Sequence, residues 1–265
     1  MGKSSSKKQS MSRVAQPSTS PELDQAPFIA DGQNATQLFV VDGGSRLHLS
    51  GMTLAHGSSA SSGGAIHANQ SSVSFSGSTS LISNHALRNG GAIYASGSNV
   101  SWYGDGAQFS FNFANDSGGA IYATDSSTVS WDGDDTQFTS NSADIDGGAM
   151  CVSYDSVVYW YGDGTQFISN SAVYSDGGAM RVSYDSVVYW YGDGTQFTSN
   201  SAESDRGAMY VSSDSAVYWN GDDTHFTSNS ALGDPGDGGG AIYAIDNSSV
   251  SWDGDGTRFT SNNAV

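Results

Sequence analysis

The sequence predicts an all-β fold, a parallel β-helix of about eight coils with a step of about 29 residues. Three landmarks share this step: a tryptophan, a Gly-Gly-Ala-type turn, and an aromatic residue followed three residues later by asparagine. The six tryptophans are Trp102, Trp131, Trp160, Trp190, Trp219 and Trp252. A fixed period of this length is typical of a solenoid, in which each repeat buries its apolar face only against its neighbours.

Composition and local periodicity both favour strands. Glycine accounts for 34 of 265 residues and charged side chains for only 14%, whereas a helical array needs Leu, Glu, Lys and Ala. Within one repeat, Ile121 and Ala123 share a face while Tyr122 points the other way. Val129 and Trp131 alternate in the same manner, and a third short run surrounds each repeated phenylalanine. We therefore expect three short strands per coil, joined by Gly, Asp, Asn and Ser turns.

Along the chain, residues 1–26 are polar, rich in serine and without periodicity, which predicts a disordered tail. Strand-like runs begin near residue 37, and 37–62 is expected to form an irregular first coil. Seven fuller repeats occupy 63–265, so the solenoid domain is assigned to 27–265. Another Gly-Gly-Ala turn is due where the chain ends. We expect either a fragment or a relative of the repeat in a different setting.

The charge distribution excludes one class of partner. The formal net charge is −18 at pH 7, and no lysine follows Lys8. Such an acidic surface repels nucleic acid and anionic lipid and attracts divalent cations or basic partners. No apolar run is long enough to predict a transmembrane segment. Cys151 is the single cysteine, so no disulfide can form within the chain.

The N-terminus carries one pattern that is typical of a membrane-targeting motif. Gly2, with the serines and lysines that follow it, fits the N-myristoylation pattern next to a basic cluster. One acyl chain plus a basic patch can hold a protein on an inner membrane leaflet. The alternative is an ordinary polar leader, because serine-rich leaders match this short pattern easily.

The variation between repeats predicts which columns of residues face inward. The Val/Trp, Phe and Ile/Met columns hardly change, as a shared core requires, so we expect the tryptophans to form an internal stack. A neighbouring column changes freely, and a buried position does not accept His, Cys and Arg without cost. This column is therefore expected to lie outside. Its members are His67, Tyr94, Tyr122, Cys151, Arg181, Tyr210 and Tyr243.

The paired motifs resemble a known family. Gly147-Gly148-Ala149, preceded by Phe138-x-x-Asn141 and recurring over the chain, is similar to the repeat of the chlamydial polymorphic outer membrane proteins. The resemblance covers about residues 37–264, and it implies a right-handed parallel β-helix displayed outside the cell and used in adhesion. From this sequence we expect neither the signal peptide nor the C-terminal translocating barrel of that family.

Two outward aromatic columns are candidates for ligand contact. Exposed tyrosines on a rigid sheet give contact area at low entropic cost, although aromatic residues also suit any β-surface. The first column contributes Tyr94, Tyr122, Tyr210 and Tyr243. The second contributes Tyr159, Tyr189 and Tyr218, where other repeats have serine. The predicted ligand is a glycan or a surface protein, and the C-terminal coil is a further candidate for end-to-end contact.

Two polar columns have structural interpretations. The repeated asparagines are expected to form an amide ladder at one corner of the coil. The Asp-Gly turns suit tight bends, yet like charges about 4.8 Å apart repel unless they are screened. Structural Ca²⁺ is therefore an alternative, because it binds carboxylate oxygens. Its candidate ligands are Asp134, Asp163, Asp193, Asp222 and Asp255.

Catalysis finds little support in the sequence, and no catalytic residue is predicted. The arginines occupy different repeat positions, no lysine lies in the coils, and the five histidines are scattered. We therefore expect a non-enzymatic adhesion module outside the cell or at its surface. The alternatives are a structural repeat stiffened by Ca²⁺, a β-helix enzyme acting on carbohydrate, and a myristoylated protein on the cytoplasmic face of a membrane.

Overall fold

The computed structural model describes residues 28–204, 206–233 and 239–264. Over these ranges the chain forms strands and turns with no helix, and its four sheets are parallel throughout. The predicted parallel β-helix of about eight coils is thereby confirmed. The expected tail at 1–26, including Gly2, lies outside the described residues.

Four sheets, numbered in the order in which a coil visits them, run along the solenoid. Sheet 1 follows the Gly-Gly-Ala turn and contains Phe39–Asp42, Ile66–Asn69, Ile93–Ser96, Ile121–Thr124, Met150–Ser153, Met180–Ser183, Met209–Val211 and Ile242–Ala244. Sheet 2 carries the tryptophans and contains Arg46–Ser50, Ser72–Ser76, Asn99–Trp102, Thr128–Trp131, Val157–Trp160, Val187–Trp190, Ala216–Trp219 and Ser249–Trp252.

Sheets 3 and 4 complete the coil. Sheet 3 carries the phenylalanines and contains Phe28–Asp31, Met52–Ala55, Ser80–Ile82, Gln108–Ser110, Gln137–Thr139, Gln166–Ile168, Gln196–Thr198, His225–Thr227 and Arg258–Thr260. Sheet 4 follows the asparagine corner and contains Ser58–Ser59, His85–Ala86, Phe113–Ala114, Ser142–Ala143, Ser171–Ala172, Ser201–Ala202, Ser230–Ala231 and Asn263–Ala264.

The structure differs from the sequence analysis at two points. Each coil has a fourth strand of two residues, in addition to the three predicted, and a strand this short carries no detectable periodicity. The solenoid also starts before residue 37, because Phe28–Asp31 pairs with Met52–Ala55 in sheet 3. Residues 37–62 are therefore not the first part of the chain to join the stack.

Aromatic stacking fills the core. The indole rings of Trp131 and Trp160 lie 4.0 Å apart between centroids, with an angle of 12° between their planes. Phe138 and Phe167 stack in a parallel column at 4.8 Å, and Phe138 meets the Trp160 ring edge to face. These side chains have no exposed surface. The expected internal tryptophan column is thus present, and parallel strands hold its rings in contact.

The asparagine column forms the expected amide ladder. Asn170 Nδ2 donates to Asn200 Oδ1 at 3.0 Å and to the Phe138 carbonyl at 2.9 Å. Asn170 Oδ1 accepts from both Nδ2 and the backbone nitrogen of Asn141, each at 3.0 Å. The same bonds connect the series Asn84, Asn112, Asn141, Asn170, Asn200, Asn229 and Asn262. Each amide therefore satisfies backbone groups that a tight, buried corner would leave unpaired.

The two glycines of the turn have different tasks. Gly147 has a φ of +60°, a conformation that side chains with a Cβ rarely adopt. A Cβ added to Gly148 would lie 2.2 Å from the Gly178 carbonyl oxygen of the next coil. The first glycine therefore allows the turn, and the second allows neighbouring coils to approach. Together they place the outer faces of the sheets in register.

Replacing Asn170 by alanine is expected to lower the free energy of unfolding by roughly 2–4 kcal/mol, because the Asn141 amide and the Phe138 carbonyl lose buried partners. Urea denaturation followed by tryptophan fluorescence measures the change. Asn262→Ala, at the half-exposed end of the ladder, is the control and should cost about 1 kcal/mol or less. Equal losses in the two variants would contradict a cooperative ladder.

Candidate functional site

The first predicted tyrosine column lies on the outer face of sheet 1, but it is largely covered. Tyr94, Tyr122 and Tyr243 are half-buried. Tyr210 is only 6% exposed and Cys151 only 3% exposed. The expectation of an open column is therefore wrong for these two residues. Tyr210 offers almost no surface for ligand contact.

Arginines from neighbouring coils cover this column. The Arg206 guanidinium carbon lies 4.5 Å from the centre of the Tyr210 ring and 5.3 Å from that of Tyr243. Arg206 is held there by an ion pair with Asp176, which is itself buried. Arg181 forms the same kind of pair with the carboxylate of Asp146. An aspartate before the glycine turn thus fixes an arginine against the outer face of sheet 1.

Burial also changes the acidity of two groups in this column. Desolvation raises the pKa of the Cys151 thiol to about 12. Desolvation, with a smaller contribution from Cys151, raises the pKa of the Tyr122 hydroxyl to about 12. Both groups therefore remain protonated and neutral at physiological pH. Neither has the properties of a nucleophile.

The second predicted column does face outward, on sheet 2. The rings of Tyr159 and Tyr189 stack at 5.4 Å, and those of Tyr189 and Tyr218 at 5.2 Å. Their backbones pair directly in adjacent strands. Tyr218 is 38% exposed, whereas the other two are half-buried. The structure therefore brings all three together on one surface.

Two further tyrosines, missed by the sequence analysis, enlarge this surface. Tyr161 and Tyr191 are 50% and 42% exposed and stack on each other at 5.2 Å. Each also lies beside a strand residue of its own coil, with 6.1 Å between the Tyr159 and Tyr161 rings. They follow the tryptophan directly, in the first residue of a turn, where strand alternation no longer applies. We call the set Tyr159, Tyr161, Tyr189, Tyr191 and Tyr218 the tyrosine patch.

The patch presents ring edges and hydroxyl groups. Neighbouring rings are within 13° of parallel, so most ring faces contact one another along the solenoid. Desolvation and the adjacent phenols raise the pKa of Tyr189. Desolvation, Tyr191, Tyr159 and the Asp132 carboxylate raise that of Tyr161. At neutral pH these hydroxyls are therefore uncharged and can donate hydrogen bonds.

The aspartates proposed as metal ligands form an exposed column beside sheet 2. Each carboxylate accepts a hydrogen bond from the backbone nitrogen of the next aspartate, as at Asp163 Oδ1 and Asp193 N, 2.8 Å apart. Equivalent bonds join Asp105, Asp134, Asp163, Asp193, Asp222 and Asp255. These bonds offset part of the repulsion between like charges. Among the described residues, no three acidic, His or Cys side chains converge on a possible metal position.

The fold and its periodic surface define a class, the repeat proteins built as parallel β-solenoids. Within that class, residues 78–96 and 223–245 match the family model described as Chlamydia polymorphic membrane protein (Chlamydia_PMP) repeat. Each match joins an x-x-Asn corner to the following Gly-Gly-Ala turn. The match at these two segments confirms the resemblance to this repeat.

Repeats of this family occur in outer-membrane surface proteins, and the β-solenoid fits a surface repeat module. No curated protein and no solved structure matched the chain. In the part of the chain that the structure describes, no helix is long and apolar enough to cross a membrane.

The buried thiol of Cys151 is expected to resist an aromatic disulfide reagent at pH 8. With the pKa raised to about 12, the thiolate fraction at this pH is about one in ten thousand, and the side chain has little access to reagent. Absorbance of the released thiolate measures the rate, and unfolded protein should react at once. Ser251→Cys in a Cys151→Ser background provides an exposed control. Equal rates for native wild type and this control would contradict the burial.

Proposed function

We propose that the chain is a non-enzymatic module at the cell surface that binds a protein partner through the tyrosine patch. The observation that carries this proposal is the patch itself. Five outward tyrosines occur together in three successive coils, at positions where most other coils carry Ser, Asp or Asn and two carry His48 and Tyr103. The core columns of the same coils hardly change. The patch is therefore a local addition to a constant scaffold.

The physical properties of the patch suit protein recognition. Tyrosine gives a large contact area with little loss of side-chain freedom, and its hydroxyl adds directional hydrogen bonds. Parallel strands and mutual stacking restrict the rings further before any partner arrives. Tyrosine is also enriched among the residues that dominate binding energy, which cluster at the centre of an interface. The patch fits the centre of a larger contact area.

The geometry favours a protein over a glycan as the ligand. Stacking on a sugar uses the face of an aromatic ring, and the patch mainly offers edges because its faces contact one another. A polypeptide can use the hydroxyls and the apolar ring edges at once. The cell-surface location in this proposal rests on the family of the repeats. Myristoylation at Gly2, which would place the protein inside a cell, belongs to a different hypothesis.

The triple variant Tyr159→Ser, Tyr189→Ser, Tyr218→Ser is expected to abolish partner binding while the fold survives, since serine occupies these positions in other coils. The measurement is binding of the full chain to an array of extracellular-matrix and cell-surface proteins, with glycans as a separate section. Circular dichroism and the thermal midpoint check the fold.

Tyr174→Ser is the matched control for that experiment. Tyr174 is 71% exposed but follows sheet 4, so it lies outside the patch. It should bind like the wild type. Unchanged protein binding by the triple variant would refute the proposal, and binding confined to the glycan section would identify the other ligand class.

Chelation separates the proposed function from a purely structural role. A solenoid stiffened by Ca²⁺ at the aspartate column should lose several degrees of thermal midpoint when a chelator is added, because bound metal stabilises only the folded state. We expect no shift, since backbone N–H groups already bond one oxygen of most of these carboxylates. Differential scanning calorimetry measures the thermal midpoint with Ca²⁺ and with excess chelator. A drop of several degrees would favour the structural alternative.

A further inference from the structure

Extending the proposed function, on which the biological role of this site rests, we propose that Tyr103, Asp132 and Tyr161 form a slot that binds an arginine side chain of the partner. We call these three residues the arginine slot. It adjoins the tyrosine patch through Tyr161, which belongs to both. The patch supplies contact area, and the slot supplies recognition of one cationic group.

The three residues occupy the same position in three successive coils. Each directly follows the core tryptophan of its own coil. Each backbone nitrogen donates to a backbone carbonyl of the preceding coil. Tyr103 N bonds to Phe75 O at 2.9 Å. Asp132 N bonds to Trp102 O at 2.8 Å, and Tyr161 N to Trp131 O at 2.8 Å. Along the solenoid axis the column therefore contains a tyrosine, an aspartate and a second tyrosine in successive coils.

The spacing leaves room for a planar cation. Parallel strands are about 4.8 Å apart, so two coil steps place Tyr103 and Tyr161 about 9.6 Å apart along the axis. The short Asp132 side chain lies between them. A guanidinium inserted above Asp132 would be about 5 Å from each ring, inside the ~6 Å range of a cation–π contact.

The slot is open to solvent. Tyr103 is 60% exposed, Tyr161 is 50% exposed, and Asp132 is exposed as well. Tyr161 stacks on Tyr191 with an angle of 5° between the rings, which uses one of its faces. The opposite face is directed toward the coil of Asp132. This ring face is therefore available, unlike most faces within the patch.

Charge complementarity supports a cationic occupant. Exposed aspartates flank sheet 2 in the turn before its strands and in the turn after them, for example Asp155 and Asp163. Among the described residues, the only arginine or lysine within a strand of sheet 2 is Arg46, four strands before Tyr159. A cation that approaches this face meets no like charge nearby. The field of the face both attracts and orients a basic segment.

The protein binds its own arginine with the same groups. The guanidinium carbon of Arg206 contacts the stacked rings of Tyr210 and Tyr243 from one side, at 4.5 and 5.3 Å from their centres, while the guanidinium pairs with Asp176. Two tyrosines of neighbouring coils and one carboxylate are thus sufficient to hold an arginine against this type of surface. The arginine slot repeats this chemistry on sheet 2 without an arginine of its own.

Arginine fits better than lysine for geometric reasons. The guanidinium is flat, so it can stack on a tyrosine ring and still donate in its own plane to a carboxylate. An ammonium group is compact and more strongly hydrated, and it gains less from a ring face. The slot therefore predicts discrimination between two side chains of equal charge.

The test titrates the full chain with the acetylated and amidated peptide Gly-Gly-Arg-Gly-Gly and with its lysine counterpart, by calorimetry at about 0.15 M salt. We expect the arginine peptide to bind about fivefold tighter or more. Asp132→Asn and Tyr161→Ser should each remove that preference. Because the rest of the acidic surface attracts both peptides equally, the ratio of the two affinities is the informative quantity.

Asp253→Asn is the matched control. Asp253 is exposed in the same column, with the same backbone bond to the preceding coil, but its neighbour in that coil is Asn220. This variant removes the same charge and should keep the preference for arginine. Equal affinity of the wild type for the two peptides, or equal effects of the Asp132 and Asp253 variants, would overturn the slot.

The outcome is separable from that of the proposed function. The triple variant of Tyr159, Tyr189 and Tyr218 leaves all three slot residues in place. If a surface protein binds through the patch but no peptide preference exists, the slot is wrong and the proposed function stands. If the peptide preference exists but no array protein binds, the slot stands and the proposed role of the patch fails.

Discussion

Everything in this structure depends on the parallel ladder that connects equivalent residues of successive coils. Strands stack at about 4.8 Å, so every side chain has a copy of its own position above and below it. A column can keep one residue type over several coils only if that residue can contact a copy of itself. Tryptophan, phenylalanine and asparagine meet this condition through ring stacking and through amide bonds that run from coil to coil. Aspartate meets it because each carboxylate accepts the next backbone N–H.

This constraint separates the interior from the surface. Inside, any change of residue disturbs two neighbouring coils at once, so the columns remain uniform. Outside, a column can change from one coil to the next as long as neighbouring side chains tolerate each other. The tyrosine patch and the arginine slot both arise from such changes. In the function that we propose, binding specificity resides in the order of outer residues along a column.

Much of the fold could be predicted from the sequence, because a column repeated over several coils gives several independent observations of one environment. The Trp131 stack and the Asn170 ladder follow from that repetition. The burial of Tyr210 could not be predicted, since the side chain that covers it, Arg206, occurs in only one coil. Tyr161 was missed because alternation identifies faces within strands and says nothing about the first residue of a turn.

Two coils, 147–172 and 177–202, differ at only two of 26 positions, Cys151/Arg181 and Ile168/Thr198. Near-identical neighbours make the coil a unit that duplication can insert or remove while the stacking of the core is preserved. Insertion or removal of a coil would change the order of residues along each outer column. It would alter which outer residues become neighbours, and so create or destroy a binding surface without redesigning the scaffold. Duplication of existing coils can thus produce new combinations of outer residues on an unchanged solenoid core.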